Sequence, residues 1–473
     1  MRKLAAIMLT SILVASAGAM NVHALSEEAS NGAIPSLAPM LENVTPAVVN
    51  ISTTQTARAP QQFRFFDEDD LRRFFNDPSR QMPPQNRERT MRATGSGVIV
   101  DAESGYVITN HHVIANADTI KVSLQDGREF PAELIGSDAS TDVALLQIEA
   151  EGLQELGFAD VSNLRVGDYV VAIGNPFGVG QTVTSGIVSA LGRAGLNNEN
   201  YEDFIQTDAA INVGNSGGAL VDLEGNLVGM NTAIISGSGS NAGIAFAVPV
   251  DMISAVMTHL ERDGEVRRGQ LGVQIQDLTP AMEATLHTGA DRGALVTNVL
   301  QGSAAEAAGI QVSDVIVEID GKDVESGREL RNIVGLLRLN EEVDMVLYRN
   351  GSRQELAAVI GGPEQSVAAN DAPREESGRS PTEPVFNGAQ LRTFDPATSA
   401  VVSNSTSTGV EVLDVDQRSP AWRSGLRPGD VIYEVNRQEV GSLQEFNALV
   451  EEPSSVMALG IIREDRKMLV IMS

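Results

Sequence analysis

The chain has no cysteine among its 473 residues. That excludes a thiol nucleophile, a thiolate metal site, an iron–sulfur cluster and a disulfide framework. Aromatic residues make up only 4%, with one tryptophan, Trp422. Lysine is scarce: apart from Lys3, Lys121, Lys322 and Lys467, every basic residue is arginine. Asp and Glu outnumber Lys and Arg by 63 to 34, so the formal net charge is −29. A chain this acidic repels phosphate backbones, and nucleic acid is not expected as a partner. Beyond the N-terminus, no apolar run reaches the length of a membrane span. No cluster of His, Asp and Glu has metal-ligand spacing, so neither a metal nor a cofactor is expected.

The N-terminus carries a targeting pattern. Arg2 and Lys3 precede the mostly apolar stretch Leu4 to Val14, and small residues lead to Val22-His23-Ala24. This predicts a secretory signal peptide over residues 1–24, cleaved after Ala24, and an exported mature chain. At roughly 150 residues per domain, the length predicts two to four domains. Hydrophobic residues at 42% and charged residues at 21% predict a globular body.

Residues 25–52 lead into a predicted strand at Pro46-Ala47-Val48-Val49-Asn50-Ile51. Residues 53–93 read as a polar insertion containing Phe63, Phe65, Phe66, Phe74 and Phe75, a cluster suited to docking. From Gly95 to Pro249, short β-branched runs alternate with Gly and Asn turns, which predicts an antiparallel barrel or sandwich. Helical periodicity returns over Val250 to Arg262 as a connecting helix. An internal repeat follows. Ser303-Ala304-Ala305, Ala308-Gly309-Ile310 and Asp314-Val315-Ile316 recur 116 positions later as Ser419-Pro420-Ala421, Ser424-Gly425-Leu426 and Asp430-Val431-Ile432. Two copies of one module are expected. Pro363 to Pro384 between them, rich in Pro, Ser, Glu, Asp and Ala, reads as a flexible linker.

Gly214-Asn215-Ser216-Gly217-Gly218 is the sharpest local signal. Glycines on both sides allow a tight turn, an accessible hydroxyl and convergent backbone N–H groups, as an oxyanion hole requires. A serine hydroxyl also needs a base. His259 falls in the predicted helix and His287 in the first repeat module, which leaves His111 and His112 after the strand Val107-Ile108-Thr109. Neighbouring residues on a strand face opposite ways, so one of the two can serve the site. Asp142, opening the apolar run Val143-Ala144-Leu145-Leu146, is the candidate acid. Asp138, in a Gly-Ser-Asp turn, competes with it. The chain order His, Asp, Ser is that of the chymotrypsin-type double β-barrel.

These residues, together with Gly95-Ser96-Gly97-Val98-Ile99, Thr109-Asn110-His111-His112-Val113, Thr141-Asp142-Val143-Ala144-Leu145, Gly174-Asn175-Pro176-Phe177-Gly178 and Gln206-Thr207-Asp208-Ala209-Ala210-Ile211-Asn212, resemble the bacterial Deg/HtrA (Do-like) periplasmic serine proteases over nearly all of the mature chain. The resemblance implies a mainly β fold: a chymotrypsin-like double β-barrel protease domain over 25–255, then two α+β PDZ domains over 256–362 and 385–473. By the Thr-Asn-x-His pattern it implies His112 as base, with Asp142 as acid and Ser216 as nucleophile. Gly214 and Ser216, with Asn215 beside them, are the expected oxyanion donors. Ile205, Met230, Asn231 and Thr232 are expected at the substrate pocket. The family's carboxylate-binding loop matches Arg268, Gly269, Gln270, Leu271, Gly272 and Val273. The Phe-rich insertion resembles a regulatory loop.

Further implications are unfolded envelope polypeptides as substrates, with small aliphatic side chains before the cut, capture of peptide C-termini, and homo-oligomers built from trimers. A chaperone with little proteolysis is the rival reading. Two departures matter. Asn215 stands where digestive relatives carry an Asp that receives a new N-terminus, and a neutral amide cannot make that ion pair. Val213 stands where the family usually has a basic residue.

Overall fold

The computed structural model describes residues 36–56, 90–176, 180–195, 201–212, 214–234, 243–362, 385–396, 399, 408–451 and 456–472. The signal peptide expected over 1–24, the Phe cluster, the linker over 363–384 and Val213 lie outside the described residues.

The β-branched runs form strands. β1 (Val48–Thr56), β2 (Thr90–Asp101), β3 (Tyr106–Thr109), β4 (Thr119–Ser123), β5 (Glu129–Pro131), β6 (Glu133–Asp138) and β7 (Val143–Gln147) make a seven-stranded sheet in the order β5-β4-β1-β2-β3-β7-β6. β8 (Tyr169–Gly174), β9 (Thr182–Arg193), β10 (Phe204–Thr207), β11 (Ala219–Val221), β12 (Leu227–Ile234) and β13 (Ala245–Pro249) close into a barrel in the order β10-β13-β12-β11-β8-β9. β1 and β2 pair without a break from Val48↔Val98 to Thr56↔Thr90. Residues 53–56 and 90–93, expected to lie within the insertion, are thus ladder. Their threonines suit a pleated edge better than a loop.

The helix Val250–Asp263 buries Val250, Ile253, Val256 and Leu260 in the same core as the first sheet. These positions form one helical stripe. The helix stops at Gly264, whose φ of +72° gives the left-handed C-terminal stop that glycine favours. The boundary expected at 255–256 therefore falls inside this helix.

The repeat is reproduced strand by strand. In the first module β14 (Val273–Asp277), β15 (Ala294–Val299), β16 (Val315–Ile319), β17 (Lys322–Asp323), β18 (Glu342–Arg349) and β19 (Ser352–Val359) pack with the helices Ala304–Ala307 and Gly327–Leu336. The second has β20 (Val385–Phe386), β21 (Ala389–Thr393), β22 (Val410–Val415), β23 (Val431–Val435), β24 (Gln438–Glu439), β25 (Met457–Arg463) and β26 (Arg466–Met472). Gly272 and Gly388 both have positive φ, and a Cβ at either would collide with a serine, Ser303 or Ser419.

The copies differ at one edge. Among the described residues, β14 pairs only with β15, and its outer edge is open. In the second module that edge is filled by β20, turned back through Asn387-Gly388. Both residues have positive φ, as this two-residue hairpin turn requires. The Phe386 ring meets Phe446 edge-on at 5.0 Å. The modules themselves join: β15 touches β26 at Asn298↔Met468 over an apolar seam that includes Leu278, Leu295 and Leu469.

Corresponding Arg–Asp pairs with buried carboxylates stand in both modules. Arg349 grips Asp314 at 2.6 and 2.8 Å, and Arg463 grips Asp430 at 2.6 and 2.8 Å, with both carboxylates essentially sealed from solvent. Removing one partner strands the other in the core. Arg349→Ala should cost about 3 kcal/mol, read as a lower urea midpoint by circular dichroism, whereas Arg353→Ala at the exposed neighbouring pair should leave the midpoint in place.

Candidate active site

Sheet and barrel meet across a polar seam. β3 ends at Thr109, and Asn110 opens a short helical turn, His111–Ile114. The histidine pair therefore diverges because successive residues on a helical turn lie about 100° apart, not because they alternate on a strand. His111 Nδ1 meets the Ser137 hydroxyl at 3.1 Å. His112 Nδ1 faces the Asp142 carboxylate at 2.8 and 3.0 Å.

Asp142 adopts a left-handed φ of +58° just before β7, a conformation Asp tolerates better than most residues. Its main-chain carbonyl accepts from the His111 N–H and from Asn110 Nδ2, each at 3.1 Å. Its carboxylate also accepts from the His112 N–H at 3.0 Å and from the Thr232 hydroxyl at 2.5 Å. Burial pushes the Asp142 carboxyl up, but the hydrogen bonds and charge of His112 and the Thr232 hydroxyl outweigh it and hold it below the ordinary range. Asp138, the competing acid, is engaged elsewhere. It accepts from the Thr141 N–H at 3.1 Å and hydroxyl at 2.6 Å, and it pairs with Arg268.

Ser216 Oγ donates to the Thr232 carbonyl at 3.0 Å. Thr232 thus touches both Asp142 and Ser216. Within the same loop the N–H groups of Asn215, Gly217 and Gly218 donate to Asn212, Asn231 and Asn215 carbonyls. Asn215, expected among the oxyanion donors, has its N–H already committed. The N–H groups of Gly214 and Ser216 have no acceptor among the described residues. Gly214 holds φ at +95° against Pro176, where a Cβ would collide.

The expected pocket residues are placed otherwise. Ile205 is turned into the barrel's own core at 2% exposure, and Met230 faces the core shared with the first sheet at 0%. Asn231 is buried and donates through Nδ2 to the Ala219 carbonyl at 2.9 Å. Thr232 serves the acid.

In the first repeat module a groove of about 450 Å³ lies between β14 and the helix Gly327–Leu336. Leu271, Val273, Ile275, Leu330 and Val334 line it, and so does Tyr201 of the protease domain. The Leu271 and Gly272 carbonyls accept from Ala305 and Leu300, which fixes the loop. The N–H groups of these two residues have no acceptor among the described residues. Arg268 points away from the groove. Its guanidinium pairs with Asp138 and lies over the Tyr201 ring at 4.1 Å. Nothing in the sequence signalled Tyr201 or the pairing of Arg268 with Asp138, because these contacts join segments far apart in the chain. Beside Tyr201, Asp203 meets PDZ residues across the domain interface. Burial and the like charges of Asp251 and Glu329 push its carboxyl up to about 6, and Arg328 only partly offsets them.

Residues 95–230 match the family model of the trypsin-like peptidase domain, and residues 269–360 and 411–463 match models of the PDZ domain. With this fold, they define a serine endopeptidase carrying two PDZ domains. A probable periplasmic serine protease do/HhoA-like of Haemophilus influenzae is 43% identical over 437 residues, covering 91% of this chain and 90% of its own. The periplasmic serine endoprotease DegP of Escherichia coli is 41% identical over 93% of this chain and 92% of its own. The periplasmic pH-dependent serine endoprotease DegQ of the same organism is 40% identical over 94% and 92%. The solved structure of the HtrA-type protease AlgW with decapeptide superposes with a TM-score of 0.52 at 42% identity, covering 69% of this chain and 99% of that one. The chain belongs to the DegP/DegQ family of HtrA-type serine endoproteases. Among the described residues, no helix is long and apolar enough to cross a membrane.

The raised pKa of Asp203 has a definite sign. Between its folded value of about 6 and the ordinary carboxylate value of about 3.9, the native state holds a proton that the unfolded state lacks. Its contribution therefore makes the chain more stable as pH falls through 6. Asp203→Asn should melt above wild type at pH 7.5 and gain less on acidification to pH 5, as read by scanning calorimetry.

Proposed function

We propose that the chain hydrolyses unfolded envelope polypeptides in the periplasm through an acyl-enzyme on Ser216. The observation that carries this reading is the convergence of His112, Asp142, Thr232 and Ser216 beside two uncommitted N–H groups. In the resting geometry Ser216 bonds to the Thr232 carbonyl, so the cycle begins as its hydroxyl swings toward His112 Nε2. The imidazole takes the proton as Oγ attacks the scissile carbonyl. The Gly214 and Ser216 N–H groups hold the resulting oxyanion. Collapse expels the amine, which receives the proton from His112, and water repeats the sequence on the ester. Asp142 fixes the tautomer and stabilises the imidazolium. One lost oxyanion donor costs about 3 kcal/mol of transition-state stabilisation.

The first PDZ module receives a substrate C-terminus by strand addition to the open edge of β14. The carboxylate sits on the Leu271 and Gly272 N–H groups. Relatives solved with a decapeptide and with a tripeptide support peptide binding by this chain. The second module's edge is taken by β20, so one site per chain is expected. Binding reaches the active site through Arg268, whose partner Asp138 holds Thr141 next to Asp142. Assembly in trimers or multiples of them belongs to the same reading.

Ser216→Ala should abolish casein cleavage and leave the melting temperature in place; cleavage at the wild-type rate would refute the nucleophile. Titration of the full chain with a fluorescent peptide ending in Val should show one carboxylate-dependent site, absent with the amidated peptide. Equal weak binding of both peptides would refute PDZ capture.

A further inference from the structure

The oxyanion loop lacks the ion pair that Asn215 cannot make, yet its backbone is held in one conformation. Ser96, fully buried in β2, sits against it and makes four hydrogen bonds. Its hydroxyl donates to the Gly214 carbonyl at 2.6 Å, and its N–H donates to the Ser216 carbonyl at 2.8 Å. The same hydroxyl accepts from the Asn175 N–H at 2.7 Å, and the Ser96 carbonyl accepts from the Thr109 hydroxyl at 2.7 Å. Asn50 completes the chain by donating through Nδ2 to the Asn175 carbonyl at 2.7 Å. A single residue of the first sheet thus grips the carbonyls on both sides of Asn215.

We propose that Ser96 is a positioning residue that locks the Gly214 and Ser216 N–H groups into an oxyanion hole, in place of the ion pair made in digestive relatives. The peptide planes show why. The Asn215 N–H and carbonyl are anchored on Asn212 and Gly218, and the Gly217 N–H on Asn231. These bonds fix the direction of the Ser216 N–H. Gly214 is the weak joint: without a Cβ it rotates readily about its Cα, and the Ser96 hydroxyl holds the carbonyl on its C-terminal side. The Gly214 N–H belongs to the preceding peptide, so its direction follows from how Gly214 is held; without that hydroxyl, rotation about the Gly214 Cα can turn the N–H out of the site while His112, Asp142 and Ser216 stay in place. The inference rests on the reading of Gly214 and Ser216 as the oxyanion donors.

The test is Ser96→Ala in the full chain, assayed on a chromogenic oligopeptide. The expected result is a kcat lower by roughly 10- to 100-fold, approaching the loss of one donor, with KM within about twofold of wild type. The acid limb of the kcat/KM profile should stay in place, because the contact of His112 with Asp142 is untouched. Ser96→Cys, whose thiol is a weak donor, should recover part of kcat. Labelling of Ser216 by a fluorophosphonate should slow by a similar factor in Ser96→Ala. Wild-type kcat in Ser96→Ala, a changed KM with unchanged kcat, or a shifted acid limb would each overturn the proposal. So would a loss of activity that only tracks the unfolded fraction by calorimetry, with no recovery in Ser96→Cys. If wild type itself resists labelling at Ser216, the underlying reading of the site fails instead, and the two failures are told apart.

Discussion

The rest of the site depends on the buried carboxylate of Asp142. It accepts from the His112 ring, the His112 N–H and the Thr232 hydroxyl, while its own carbonyl holds Asn110 and His111. One residue therefore orders the turn that carries the base and ties the first sheet to β12 of the barrel. Burial works against the charge, and the hydrogen bonds that overcome it are the ones that orient the imidazole. Stability of the charge and readiness for proton transfer share one cause.

A second layer surrounds this hub. Thr232 reaches Asp142 with its hydroxyl and Ser216 with its carbonyl, and Ser96 reaches both carbonyls beside Asn215. Both act across the seam between sheet and barrel. The domain interface adds a third layer, since Arg268 pairs with Asp138, which accepts from Thr141 next to Asp142.

Much of the site was legible because it lies in local patterns. The glycines around Ser216, the Thr-Asn-x-His stretch and the apolar run after Asp142 each specify a turn or strand end within a few residues. The repeat of 116 positions was legible for the same reason, and it returned as matching strands. What misled was local as well. Ile205 and Met230 read as pocket walls, but strand register in a closed barrel decides which side chains face the core. His111 and His112 read as a strand pair, but Asn110 had already started a helical turn.

Residue types and their order settled the class of chemistry. The absence of cysteine excluded a thiol nucleophile, and the order of His, Asp and Ser pointed to a two-part β domain. Folding decided the rest. It committed the Asn215 N–H, left those of Gly214 and Ser216 open, set Ser96 against their loop, and closed one PDZ edge while leaving its twin open. The grip of Ser96 on Gly214 and that of Thr232 on Asp142 join residues 118 and 90 positions apart. Such pairings arise when strands from distant parts of the chain settle into register, and spacing along the chain does not encode them.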